Sequence, residues 1–246
     1  MEEGECLATT PIPDTMKTIG LIGGMSCESS AEYYRLINNS VRQKLGGLNS
    51  AKIILNSLNF QEIADLQKIG DWNKLQECIN QAGLNLQKAG ADCVLICTNL
   101  MHKCAQELQE ALSLPLIHIA DACGELMQEQ GVDQILLLGT IYTMEEDFYS
   151  QRLETKYGIK TIIPDKDDCK IISDIIYQEL CQGIINPNSK NEYLRIINKS
   201  QDRGAQAALL ACTEIPLLVQ NGEAEIPLYE TTAIHANKAV EFALGN

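Results

Sequence analysis

LICTN at residues 95–99 recurs as LACTE at residues 210–214. Each copy ends a short apolar run of the kind that forms a buried parallel strand. Each run continues into a Cys-Thr pair and a polar residue. Upstream, the glycine stretch LIGGMS at residues 21–26 matches LLGTIY at residues 137–142. The chain therefore contains two sets of similar stretches in the same order.

The spacing of these stretches indicates an internal duplication. The interval from Gly24 to Thr98 equals the interval from Gly139 to Thr213. Chains of alternating strands and helices often repeat weakly, but equal intervals that end on the same dipeptide point to a duplicated unit. The sequence predicts two similar halves.

Short apolar runs alternate with longer amphipathic stretches, which is typical of βαβ units and parallel sheets. We predict the α/β class, with a doubly wound parallel sheet in each half. The predicted strands are residues 17–22, 51–55, 93–96, 116–119, 134–138, 160–163, 208–211 and 226–229. The predicted helices are residues 29–43, 61–68, 73–89, 102–112, 145–157, 167–182, 191–202 and 231–244.

The repeat also predicts the domain boundaries. We expect a first domain over residues 16–119 and a second over residues 120–230, with the C-terminal helix at 231–246 completing the first. Residues 1–15 are acidic and contain proline, so we expect them to form a flexible tail.

The formal net charge of −14 narrows the possible functions. An acidic surface repels phosphate backbones, so we expect no nucleic-acid partner. No apolar run approaches the roughly 18 residues of a membrane span. The N terminus lacks the basic start and apolar stretch of a signal peptide. We expect a cytoplasmic protein without a membrane partner, whose cysteines are mostly reduced.

The distinctive residues follow predicted strands, where parallel α/β sheets bind their ligands. The glycine stretch lacks the G-x-G-x-x-G spacing of a dinucleotide site, and no Walker A lysine pattern occurs. A small anionic substrate held by backbone amides fits better. Two halves that face each other would enclose one such site.

Cys97 and Cys212 differ from the other cysteines because each begins a turn after a strand, where amides of a following helix lower a thiol pKa. Cys93, Cys97 and His102 have poor spacing for zinc, so we expect no metal site. Cysteine inside a helix or strand is usually a small packing residue. We predict that role for Cys78, Cys93, Cys104, Cys123 and Cys181.

From about residue 16 to residue 243 the chain resembles the aspartate/glutamate racemase family, most closely its aspartate racemase branch. The matching stretches cover nearly the whole chain. They are GLIGGMSCESSAEYYRLIN (20–38), LQKIGDW (66–72), CTNLMHK (97–103), LPLIHIADA (114–122), LLLGTIYTMEEDFY (136–149), ACTEIPLL (211–218) and TTAIHA (231–236).

The resemblance implies two α/β domains in a pseudo-twofold arrangement, with the active site between them, and a homodimer. It implies that the substrate is an amino acid, aspartate and/or glutamate, and that the protein racemises it without a cofactor. Racemisation needs a base and a conjugate acid on opposite faces of the α-carbon. Thiols suit both roles because their pKa, about 8.5 when unperturbed, is easily tuned.

The resemblance also assigns residues. Cys212 matches the catalytic cysteine that takes the α-proton from the L-enantiomer in relatives, and Glu214 ends its motif. The substrate-binding positions that carry over are Met25, Gln67, Asn99, Leu100 and Thr213.

The first half departs from the usual Cys-Asn-Thr motif. Alignment on Asn99 places Thr98 at the catalytic position, whereas alignment of the two halves places Cys97 there. We favour Thr98, because Asn99 and the following MHK fix the register. A hydroxyl is a poor base, so we predict that L-substrates exchange their α-proton with solvent faster than they racemise.

Two alternatives stay open. The first is another activity of the same superfamily, of the hydantoin racemase, maleate isomerase or malonate decarboxylase type, which reuses the same cysteine positions. The second is a non-catalytic protein that binds small acids, or a redox-responsive protein that uses Cys97 and Cys212.

Overall fold

The computed structural model describes residues 16–245, so the predicted tail at residues 1–15 lies outside the described residues. This part of the chain folds into two parallel sheets flanked by helices. The strands are β1 (Ile19–Gly23), β2 (Ile53–Ser57), β3 (Cys93–Ile96), β4 (Gln134–Leu138), β5 (Lys160–Ile162), β6 (Ala207–Leu210) and β7 (Leu228–Glu230).

Helices connect the strands. They are α1 (Cys27–Leu45), α2 (Phe60–Ile69), α3 (Trp72–Lys88), α4 (Ala105–Ala111), α5 (Ile119–Glu129), α6 (Ile141–Glu145), α7 (Asp147–Tyr157), α8 (Lys166–Gln178), α9 (Pro187–Gln201) and α10 (Thr231–Leu244). Short 3-10 segments occupy Leu100–Cys104, Leu180–Gln182 and Ile215–Leu217. None of the helices in the described range is both long and apolar enough to cross a membrane.

The two sheets confirm the predicted α/β class with parallel strands. In the first sheet the order is β2-β1-β3, and in the second it is β5-β4-β6-β7. All the paired strands are parallel, so the carboxyl ends of each sheet's strands meet at one edge. The turns after β1 and β3 therefore lie side by side, as do the turns after β4 and β6.

Both faces of each sheet are covered, which explains why the strands are almost continuously apolar. On the first sheet, Ile22 and Ile96 pack into one apolar cluster and Ile19 and Leu21 into another. The second cluster also contains Val240 of α10. The C-terminal helix therefore packs against the first sheet, although it follows the last strand of the second.

Helix α5 packs against the second sheet. It follows the first half in the chain, yet Ile119 and Cys123 pack with Ile135 and Leu137 of β4. Helices α5 and α10 also contact each other at the junction of the halves, where Lys103 forms a salt bridge with Glu146.

The predicted strand at residues 116–119 is wrong. Leu116 makes a single bridge to Val94, and Ile119 begins α5, a helix that the sequence analysis did not predict. The side chain of His118 caps this helix by accepting the Ala120 N–H at 3.1 Å. The four-residue run at 116–119 is too short to distinguish a strand from a helix, and here it contains the helix start.

Two predicted helices also differ in the structure. The segment at 145–157 is split, because Glu146 has extended backbone angles between α6 and α7. The segment at 102–112 begins as the 3-10 turn Leu100–Cys104 and becomes α-helical at Ala105. The 3-10 turn lies just beyond the carboxyl end of β3, and the break at Glu146 follows the short helix α6 beyond β4.

Candidate active site

The turn after β1 is built around Gly24, which has a φ of 85°. A Cβ on Gly24 would lie 2.5 Å from the backbone nitrogen of Leu58 and closer still to its carbonyl oxygen. The Gly24 N–H donates to the Ser30 hydroxyl at 2.7 Å, and this hydroxyl donates to the Ser26 carbonyl at 2.8 Å. The turn is therefore fixed against the end of β2 and the start of α1.

Two of the predicted substrate-binding residues meet beside the next turn. Met25 is buried in the same apolar cluster as Met101, and the Gln67 amide donates to the Met101 sulfur at 3.3 Å. Leu100 is half-buried at the start of the 3-10 turn. Sequence reasoning did not single out Met101, although it stands within the CTNLMHK stretch.

The turn after β3 separates the two residues that competed for the first-half catalytic position. The Cys97 side chain is buried in an apolar cluster with Tyr33 and Leu95, and burial raises its thiol pKa. Thr98 is partly exposed. A neutral thiol inside the core is poorly placed to meet a ligand, and this arrangement favours Thr98.

The turn after β6 places a thiol beside a carboxylate. The Cys212 thiol donates to Glu214 Oε2 at 3.0 Å, and the Thr213 hydroxyl donates to the same oxygen at 2.8 Å. Burial, and then the negative charge of Glu214, raise the pKa of Cys212 well above its usual value. The resting group is therefore a neutral thiol with a carboxylate in position to accept its proton.

The expectation that helix amides lower the pKa of both thiols is wrong. Neither turn leads directly into an α-helix, because 3-10 segments follow at Leu100–Cys104 and Ile215–Leu217. At Cys212 a backbone amide of Glu214 does lower the pKa, but burial and the charge of Glu214 outweigh it, and at Cys97 burial raises the pKa. The sequence signal for Glu214 was its place in the Cys-Thr-Glu motif, but its contact with the thiol was not predicted.

Hydrogen bonds connect the two turns across the junction of the halves. The Asn99 amide donates to the Thr231 hydroxyl at 3.2 Å, and this hydroxyl donates to the Leu210 carbonyl at 3.0 Å. Asn99 is buried, and its Oδ1 has no hydrogen-bond partner within residues 16–245. An unpaired buried acceptor costs free energy unless a ligand donor meets it. Sequence reasoning missed Thr231, the first residue of α10.

Other polar groups surround Cys212. Partial burial, and then the nearby Cys212 and Cys181 thiols, raise the pKa of the Tyr177 phenol. Cys181 itself is exposed, so its predicted packing role is wrong. It lies in the 3-10 segment after α8 and not in the helix that the sequence predicted.

A cleft of about 630 Å³ borders the Cys-Thr-Glu turn. Its lining includes Glu28, Ser29 and Arg35 of α1 together with Thr213 and Glu214 of this turn. Among the described residues that line this cleft, Thr213 is the one that the sequence analysis had assigned to the substrate. The cleft therefore gives Glu214 a route to solvent.

The structure thus brings the predicted residues together in two groups. Met25, Gln67 and Leu100 surround the first turn with Thr98 and Asn99, and Thr213 accompanies Cys212 at the second. No cluster within residues 16–245 has three or more side chains suited to a metal ion. Cys93, Cys104 and Cys123 are buried, as their predicted packing roles require, and Cys78 is half-buried.

Comparisons with known proteins agree over nearly the whole chain. A model of the Asp/Glu/hydantoin racemase family matches residues 22–239. A Yersinia pestis structure described as a candidate Asp/Glu racemase is 50% identical with a TM-score of 0.90, covering 93% of this chain and 100% of that one. An aspartate racemase homologue from Pyrococcus horikoshii is 31% identical with a TM-score of 0.84, covering 93% and 99%. The broad specificity amino-acid racemase RacX of Bacillus subtilis is 23% identical over 230 residues, 90% of this chain and 96% of that protein.

Proposed function

Because the chain belongs to the Asp/Glu/hydantoin racemase family, we propose that it interconverts the L- and D-forms of aspartate or glutamate without a cofactor. The observation that carries this proposal is a pair of unlike groups, each of which follows the carboxyl end of a strand in a different sheet. One is the Cys212 thiol, hydrogen-bonded to Glu214 at 3.0 Å. The other is the partly exposed hydroxyl of Thr98, whose turn is connected to the second half through Asn99 and Thr231.

The Cys212 side removes the α-proton of the L-enantiomer. The thiol gives its proton to the Glu214 carboxylate, and the resulting thiolate takes the proton from the α-carbon. This leaves a carbanion and a neutral thiol. A base beside an acceptor of its own proton is an arrangement used for general acid–base catalysis.

The Thr98 side returns a proton to the opposite face. The hydroxyl donates its proton to the carbanion and takes one from water, while Glu214 releases its proton to solvent through the cleft. These two exchanges with solvent cancel, so the protein gains no net proton. A hydroxyl is a much weaker acid and base than a thiol, and this second step is the slow one.

The developing negative charge needs nearby donors and ordered dipoles. Backbone amides of the turns after β1 and β3 lie at the carboxyl edge of the first sheet, where Thr98 also lies. The unpaired Oδ1 of Asn99 is an acceptor, and it is suited to the α-ammonium group of an amino acid. Binding of that group would satisfy the buried oxygen.

The test is solvent exchange in D2O, followed by proton NMR for loss of the α-proton and by chiral chromatography for racemisation. L-aspartate and L-glutamate, tested separately, should lose the α-proton faster than they racemise, and one should react faster than the other. The D-enantiomer should exchange more slowly than the L-enantiomer. Equal exchange from both enantiomers would contradict the role of Thr98.

Two variants complete this test. Cys212→Ala should abolish exchange and racemisation together, and survival of either would contradict the mechanism. Cys97→Ala should retain both, because its side chain lies in the core. A change of the carbon skeleton would instead indicate an isomerase or decarboxylase of the superfamily, and no reaction with any substrate would indicate a binding protein.

A further inference from the structure

His102 uses both of its ring nitrogens inside the protein. It is buried, with Nδ1 2.8 Å from the Thr98 carbonyl oxygen and Nε2 3.2 Å from the Ile119 backbone nitrogen. Because the Ile119 N–H can only donate, Nε2 accepts and Nδ1 carries the hydrogen that is donated to Thr98. Burial lowers the pKa of His102 well below its usual value, which agrees with this neutral tautomer.

The turn that carries Thr98 has few other attachments. The carbonyl of Cys97 accepts the Ser29 hydroxyl at 2.7 Å, and the side chain of Asn99 donates to Thr231. The ladder to β1 ends one residue earlier, where the Cys97 N–H donates to the Ile22 carbonyl at 2.9 Å, and Thr98 lies beyond it. The bond from His102 is the contact that orients the Thr98 carbonyl.

His102 also connects this turn to the other half of the protein. Its second partner, Ile119, is the first residue of α5. Helix α5 packs with Tyr149 and Leu153 of α7 and with the second sheet. One ring therefore joins the peptide of Thr98 to the helix that spans the junction.

We infer that His102 is a positioning residue for the Thr98 hydroxyl, acting through the main chain and not through contact with the substrate. This inference rests on the proposed function. It predicts that loss of the bond to Thr98 slows proton transfer on the Thr98 face alone. A misplacement of about 1 Å lowers a rate by about a hundredfold.

Two substitutions of His102 test its hydrogen bonds to Thr98 and to Ile119 one at a time. In His102→Asn the amide nitrogen takes the place of Nδ1, so the donor to Thr98 is retained. In His102→Gln the amide reaches the place of Nε2, so the bond to Ile119 is retained and the donor to Thr98 is lost. Both variants remove the same ring from the core.

His235 is the matched control. Its ring lies 5.6 Å from that of His102 in the same buried cluster. It bonds to the Tyr33 hydroxyl at 2.7 Å and the Ile117 carbonyl at 2.7 Å, and within the described residues it makes no hydrogen bond to residues 97–99. His235→Gln therefore perturbs the cluster without touching the Thr98 turn.

The experiment measures α-proton exchange of the L-substrate in D2O and racemisation for each variant. For His102→Gln we expect exchange within about threefold of the wild type and racemisation lower by about tenfold to a hundredfold. His102→Asn should restore racemisation. In His235→Gln any loss should affect both rates equally.

Equal losses of both rates in His102→Gln would overturn the inference, as would identical behaviour of the Asn and Gln variants. If circular dichroism shows that neither variant folds, His102 has a structural role only, and the inference fails. Absence of exchange and racemisation in the wild type would instead contradict the proposed function itself. If the wild type is active but exchange and racemisation fall equally in His102→Gln, only the role of His102 is contradicted, and the proposed function stands.

Discussion

The candidate chemistry depends on the environment of individual side chains more than on their identity. Cys97 and Cys212 both follow a strand and precede a threonine, yet one is buried in the core and the other donates to a carboxylate. Glu214 opposes the formation of a thiolate at Cys212 and is also the group nearest to its proton. A residue that raises the pKa of the thiol thus also provides the path by which the proton leaves.

Substitution of Glu214 by Gln tests this relation. The neutral amide removes the charge that raises the Cys212 pKa, so alkylation of Cys212 by iodoacetamide should reach its half-maximal rate at a lower pH. Racemisation should fall by about a hundredfold, because the proton acceptor is lost. Peptide mass spectrometry distinguishes Cys212 from the exposed thiols Cys27 and Cys181. An unchanged pH profile would contradict the contact.

At the scale of elements, the turns at the carboxyl ends of the strands position the site. The turn after β1 requires glycine because the chain passes directly over the backbone of Leu58 with a left-handed φ. Short 3-10 turns follow β3 and β6, where the alternation of strands and helices in the sequence predicts that an α-helix begins. Burial and the charge of Glu214 keep the thiol of Cys212 neutral, and a side chain, His102, orients the peptide of Thr98.

Gly24→Ala and Gly131→Ala form a matched pair at this scale. Both glycines have positive φ, but a Cβ on Gly131 would meet open space, whereas one on Gly24 would strike the Leu58 backbone. Gly131→Ala should lower the free energy of unfolding by about 1 kcal/mol, the cost of a left-handed alanine. Gly24→Ala should cost several times more and should also lower racemisation. Denaturant unfolding measures both, and equal losses would contradict the close approach.

At the scale of the whole molecule, the junction between the halves contains the three histidines of the chain. The ring of His102 lies 4.6 Å from that of His118 and 5.6 Å from that of His235. All three are buried, and burial lowers the pKa of each. The turns that carry Thr98 and Cys212 belong to different halves, and hydrogen bonds through Asn99 and Thr231 connect them across this junction.

The stability of the protein should fall as the pH is lowered from 7 to 5. Burial lowers the pKa of His235 to about 4, against about 6.5 in an unfolded chain. In this range the unfolded state binds a proton that the folded state does not, so the folded state loses relative stability. His235 alone accounts for a loss of about 2 kcal/mol between pH 7 and pH 5.

Urea unfolding at several pH values between 5 and 7 measures this loss, since carboxylates titrate mainly below that range. The His235→Gln variant is the control, and its free energy of unfolding should depend less steeply on pH. A wild-type stability that is flat between pH 7 and pH 5 would contradict neutral burial of the cluster.

The sequence by itself determined the α/β class, the parallel strands and the family, because these depend on periodicity and on motifs that are local in the chain. It placed β3 and β4 correctly at residues 93–96 and 134–138. It missed α5, since a short apolar run does not distinguish a strand from a helix start until its neighbours are known.

The environments of the site residues were decided by the tertiary structure alone. The difference between the buried Cys97 and the partly exposed Thr98, the raised pKa of Cys212 and the two bonds of His102 all depend on groups that other segments bring close. Burial and charge act through space, and the sequence records only which residues follow one another. The physical reason is that a pKa or a hydroxyl position is set by its surroundings, and these form only when distant segments of the chain pack together.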